Sequence, residues 1–182
     1  MARASGILVS SVLAFGLGLG LALVGGPRLD PEPRLGIEIP LGDTAVVSRA
    51  EILSRDDLPD AAIAVYDSAA PRIYLNRRIF NQVGPSLVAF LMTHEQGHLA
   101  YHHSRERGFG FGASPTPAST LHRYEFAADC YAVQALHRSR PDAVVAAVQF
   151  FQDRRGQRTD TDHPPMGERA DSLLACLASL AP

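Results

Sequence analysis

The chain has 182 residues, of which 46% are hydrophobic and 20% charged, with 17 Lys and Arg against 19 Asp and Glu for a net charge of −2. A single domain of that length buries a sizeable core. The even charge balance leaves no basic footprint for nucleic acid.

The first feature in chain order is an uncharged stretch from Gly6 to Gly26, GILVSSVLAFGLGLGLALVGG, preceded by Arg3. It is long enough to span a bilayer as a helix, and the Gly16, Gly18 and Gly20 inside it would weaken a helix in water. It reads as an N-terminal membrane anchor over residues 1–26. A cleaved secretory signal is the alternative, although the small-residue cleavage site near Val24-Gly25-Gly26 is poorly formed. The positive start favours an N-terminus kept in the cytoplasm and a folded domain on the extracytoplasmic side of a single-pass protein, or a secreted one if the segment is removed. Pro27, Pro31, Pro33 and Pro40 then make residues 27–42 an extended linker, which places the folded domain at 43–182.

Within that domain, Thr44 to about Arg55 reads as a short helix with Ala45, Val46, Ala50 and Leu53 on its apolar side. Ile63–Tyr66 and Arg72–Asn76 read as strands joined by the turn residues Asp67–Pro71; an exposed edge of the second could pair with an extended peptide. Pro85 to about Arg107 reads as a helix whose first part, Leu87–Met92, is apolar throughout. Gly108–Thr120 is Gly, Ser, Pro and Thr rich and reads as a loop. Leu121–Arg140 is a helix stopped by Pro141. Asp142 is the expected N-cap of Ala143–Arg155, with Val144, Val145, Val148 and Phe151 inward. Glu168–Leu180 closes the chain with Leu173, Leu174, Leu177 and Leu180 inward. Cys130 and Cys176 read as small buried apolar residues, with a disulfide the alternative in an oxidising compartment.

The chemistry lies in His94-Glu95-Gln96-Gly97-His98. Two histidines four apart share one helix face, so both imidazoles reach one zinc ion at about 2.0–2.1 Å. Glu95 is then free to act as a base toward a water molecule. His102 continues the same face and reads as a polar helix end rather than a ligand. Tyr101 and Ser104 stand where a metzincin has its Gly and third His, so that pattern fails. A catalytic zinc commonly has three protein ligands. Glu125, on the next helix, is the best third candidate, and Asp129 on the same face is placed to bond a ligand histidine.

HEQGH, EFAAD and HPPMGER in that order resemble the three signatures of the M48 family of zinc metallopeptidases. The resemblance covers roughly Ile63 to Leu180. It implies an α+β, mostly helical zincin-like domain with a small sheet ahead of the active-site helix. It also implies Zn2+ held by His94, His98 and Glu125, with Glu95 as general base, and a peptide or protein substrate along an edge strand formed by Arg72, Ile73, Tyr74, Leu75 and Asn76. His163, stiffened by two following prolines, is the expected hydrogen-bond donor to the substrate oxyanion, and Arg169 is expected to hold its loop by pairing with Asp129 or another buried carboxylate. The expected activity is zinc-dependent endopeptidase. The alternative is a catalytically silent zinc- or peptide-binding module tethered to the membrane.

Overall fold

The computed structural model describes residues 42, 44–66, 70–103, 116–157 and 160–180. The expected anchor at 1–26, the linker up to residue 41 and most of the Gly108–Thr120 loop lie outside them. Among the described residues no helix is long and apolar enough to cross a membrane.

The elements run α1 (Thr44–Ser48), β1 (Glu51–Ser54), β2 (Ala62–Tyr66), β3 (Pro71–Leu75), α2 (Arg77–Phe80), α3 (Pro85–Ala100), α4 (Ala118–Leu136), α5 (Pro141–Gln152) and α6 (Met166–Ser179). The domain is α+β and mostly helical, with one three-stranded sheet ordered β1-β3-β2.

The helix expected over Thr44–Arg55 ends after five residues, and its second half is a strand. Val46, Val47 and Ile52 are β-branched and lower helix propensity. The chain turns through Ala50, whose N–H donates to Val47 O (3.1 Å), and β1 then pairs parallel with β3 from Glu51↔Arg72 to Ser54↔Leu75. β2 pairs antiparallel on the other side, with Ala64 opposite Ile73. β3 is therefore the central strand, not the edge expected from the sequence. Ile73 is fully buried, and Asn76 is not in the strand at all: its side chain caps α2 by accepting from Arg78 and Ile79 N–H. The edge toward the helices is β2.

Apolar residues on all faces of α3 fit its position between two cores. Leu87 and Phe90 pack with Val133 of α4, Val144 and Phe151 of α5 and Leu173 of α6. Leu99 packs with Val46, Ile73 and Phe80 under the sheet. α3 stops at Ala100, before the expected Arg107, because the chain turns at Tyr101 and His102, the latter at φ 58°. Pro141 opens α5 at its first turn, where its missing N–H costs nothing, so Arg140 is the cap and Asp142 sits inside. Val145, expected inward on α5, is 53% exposed.

On α6 the inward face carries Met166, Arg169, Ala170, Leu173 and Cys176, while Leu174 (41%) and Leu177 (36%) are exposed. Cys130 and Cys176 form a disulfide between α4 and α6, with Cα atoms 5.7 Å apart; they are not the free buried thiols expected. Closing a loop with a sequence separation of 46 is worth about 4 kcal/mol in the chain-entropy account.

α3 and α4 touch backbone to backbone. A Cβ on Gly97 would stand 3.0 Å from Ala128 Cα and 3.1 Å from Tyr131 Cβ. That close crossing carries one helix's histidines to the other's carboxylates.

Candidate metal centre

His94 and His98 project from one face of α3 and are 4% and 6% exposed, while Glu125 on α4 is 1% exposed. His94 Nε2 lies 3.1 Å from His98 Nε2. Glu125 Oε2 is 3.3 Å from His94 Nε2, and Oε1 is 3.3 Å from His98 Nε2. Among the described residues these three form the one group of His, Cys, Asp or Glu whose ligand atoms all fall within 4.8 Å of each other. Ligands held at zinc distances in a tetrahedron stand about 3.3 Å apart. The donor set therefore fits a divalent metal ion of zinc's size.

Both histidines are oriented from behind. The Nδ1–H of His94 donates to Asp129 Oδ1 (2.9 Å), which turns Nε2 toward the triad. Asp129, four residues after Glu125, is in turn gripped by Arg169, with Nε at 2.8 Å and Nη2 at 2.6 Å. Arg169 is 3% exposed and stacks its guanidinium 4.4 Å over the Phe151 ring. Behind His98 stands His103, Nδ1 to Nδ1 at 3.1 Å, itself stacked on Tyr124 at 4.2 Å. With His98 Nε2 turned to the triad, its Nδ1 carries the proton and donates.

Burial and neighbouring charges shift the ionisable groups of the centre in opposite directions. Burial opposes charge on His94, yet Asp129 and Glu125 raise its pKa to about 9. Burial also works against Glu125, but His98 and His163 hold it well below the carboxylate range. Asp129 is likewise lowered against burial, by Arg169.

Glu95 is half-buried and its Oε2 accepts from Ala64 N–H at 2.7 Å, so it bridges α3 to the edge of β2. His163 reaches the centre from the loop before α6: its Nε2 lies 3.8 Å from Glu125 Oε1, and its Nδ1 bonds Asp160 Oδ1 at 2.9 Å. Burial opposes its charge, while Glu125 and Asp160 raise its pKa. Seven of the residues singled out in the sequence thus converge: His94, Glu95, His98, Glu125, Asp129, His163 and Arg169. The strand residues do not. Arg72 pairs with Glu51 (3.3 Å), and the polar backbone of β3 is occupied on both sides.

Three residues near the centre escape the sequence reading. His103 is brought back by the left-handed turn at His102; its only sequence signal is the His102-His103 pair. Asp160, which positions His163, precedes it by three residues in a polar loop. Asp60 sits buried just before β2, and its charged neighbours are His163, Glu95, Asp160 and Glu125. Nothing in its local sequence distinguishes it from a turn aspartate.

The family model described as Peptidase U49 matches residues 56–180. No curated protein and no solved structure matches the chain.

Proposed function

The chain belongs to the peptidase U49 family, and on that premise we propose that it is a zinc-dependent endopeptidase acting on peptide or protein substrates. The carrying observation is the buried His94-His98-Glu125 triad, with donor separations of 3.1, 3.3 and 3.3 Å and a carboxylate, Glu95, beside it. The order HEQGH, EFAAD, HPPMGER further supports kinship with the M48 zinc metallopeptidases.

His94, His98 and Glu125 would hold the ion, which when bound supplies Lewis acidity toward a carbonyl and an acidified water. Glu95 takes the proton of the attacking water and delivers it to the leaving amine. His163 donates from Nε2 to the carbonyl oxygen as charge develops there. Asp160 keeps the ring in place by accepting from its Nδ1 and its backbone N–H (3.0 Å). Arg169 and Asp129 fix the ring of His94.

Because β3 is the central strand, a peptide would add to β2. In antiparallel pairing alternate residues point their polar backbone outward. Asn76 N–H donates to Ala61 O, so Ala62 and Ala64 turn their polar backbone away from β3, and the Ala64 N–H there is held by Glu95. An extended peptide adding there lies across the centre.

His163→Ala should keep its metal and its fold and lose about 10²–10³ in kcat with little change in KM, the usual cost of one oxyanion donor. Steady-state kinetics beside metal analysis checks this. A wild-type rate removes His163 from the reaction.

We further infer an anchored, extracytoplasmic enzyme with residues 1–26 as anchor and 27–42 as linker. The Cys130–Cys176 disulfide supports an oxidising compartment, and the apolar run of Gly6–Gly26 supports the anchor. Mass spectrometry of the membrane fraction should find the N-terminus intact. A mature terminus near Gly26 or Pro27 would make it a secreted enzyme instead.

A further inference from the structure

Most carboxylates around the centre have a matched partner. Asp129 has Arg169, Glu125 has His94 and His98, and Glu95 has Ala64 N–H. Two carboxylate oxygens do not. Asp60 is 6% exposed, and its Oδ1 is buried with no hydrogen-bond partner. Asp160 uses Oδ1 for the N–H of Asp162, the N–H of His163 and the His163 ring, and its Oδ2 is buried with none. The two acids lie far apart in chain order, one entering β2 and one leading into α6, yet Asp160 bonds the ring of His163 (2.9 Å), which reaches Glu125 (3.8 Å), and both Asp160 and His163 are among the charges that act on Asp60.

A buried carboxylate oxygen without a donor is costly, and native proteins leave few of them. Two together beside a candidate catalytic centre indicate a ligand that donates hydrogen bonds and carries positive charge. Resting on the peptidase reading, we infer that Asp60 and Asp160 form an acidic subsite that takes a cationic group of the substrate, an ammonium or a guanidinium. Asp60 stands two residues before β2, the strand along which the peptide would add. A basic side chain of such a peptide, or its free amino-terminus, supplies the missing donors. Burial, opposed by His163 and reinforced by Glu95, Asp160 and Glu125, raises the Asp60 carboxyl to about 7. A cation seated against it favours the ionised form.

The test uses the full chain, zinc-loaded, as Glu95→Gln so that peptides are held without turnover. The probes are octapeptide pools, acetylated and amidated, with one position fixed as Lys, Arg, Gln or norleucine and the others drawn from Ala, Leu, Ser and Gly. Lys or Arg pools should bind about 10- to 100-fold tighter than Gln or norleucine pools, the range of a charge-assisted contact. Adding Asp60→Asn should reduce that preference to within a few-fold, with norleucine binding and zinc content unchanged. The Lys-to-norleucine ratio on the chain with Asp60 intact decides the matter even if Asp60→Asn misfolds. Pools with a free amino-terminus separate the two cation sources: tighter binding of those pools, lost with Asp60→Asn, assigns the subsite to the α-amine. Equal binding of all pools, a preference that survives Asp60→Asn, or a second zinc per chain lost in that variant overturns the proposal. Cleavage by the unsubstituted chain is read separately. Selective binding without cleavage would sink the peptidase reading and keep the subsite, and cleavage without selectivity would do the reverse.

Discussion

Glu95→Gln is expected to keep its full metal content and to lose about 10²–10⁴ of its peptidase turnover, the range of a positioned general base. The substitution is nearly isosteric, and its amide oxygen can still accept the Ala64 N–H that Glu95 now holds at 2.7 Å. The tie between α3 and β2 is therefore kept, and only the ability to take a proton is removed. Turnover of a peptide pool is measured beside zinc per chain by mass spectrometry of the metal. Equal rates for the two proteins, with contaminating peptidase excluded, would remove Glu95 from the chemistry. No turnover by either protein, with zinc bound in both, would favour a silent binding module.

Glu125→Ala is expected to drop zinc from about one per chain to near none. It removes one of three donors whose separations already suit one ion. The loss should exceed the roughly 10- to 100-fold in affinity that follows from losing a ligand's outer partner, which is the effect expected for Asp129→Ala. A second readout does not depend on activity. Zinc at about 1,000 times its Kd stabilises a folded protein by about 4 kcal/mol through mass action. Added zinc should therefore raise the melting temperature of the unsubstituted chain and leave Glu125→Ala unmoved. Full occupancy in the variant would take Glu125 out of the donor set.

Most plainly legible in the sequence are the parts of the centre written at helical spacing, with Glu95, His163 and Arg169 legible through the HEQGH and HPPMGER motifs. His94 and His98 are four apart on α3, and Glu125 and Asp129 are four apart on α4, so α3 displays two candidate ligands on one face and α4 displays one with the carboxylate that bonds His94. What the sequence hid depends on how elements pair. Arg72–Leu75 looks the same as an edge or as a central strand, because nothing local says that Glu51–Ser54 is a strand at all. Asp60 and Asp160 sit in polar turns, where an aspartate usually needs no explanation. On α6 the leucines misled: Arg169, held by Asp129 over Phe151, turns the helix so that Leu174 and Leu177 face outward. Hydrophobicity alone cannot find a face whose anchor is a buried arginine. The two cysteines allowed only one pairing, but their oxidation state belonged to their three-dimensional approach.

The crossing of α3 and α4 at Gly97 and Ala128 separates two kinds of tolerance. The gap between the helices is set by main chain against main chain, with Gly97 next to His98 and Ala128 next to Asp129. A hard stop of this kind does not shift when distant side chains change. Leu87, Phe90 or Val133 can therefore drift among apolar residues of similar volume, altering stability while the bite of the centre stays constant. Position 97 has no such latitude. At this crossing the fold concentrates its geometric intolerance in one residue without a side chain and leaves the surrounding core free to vary.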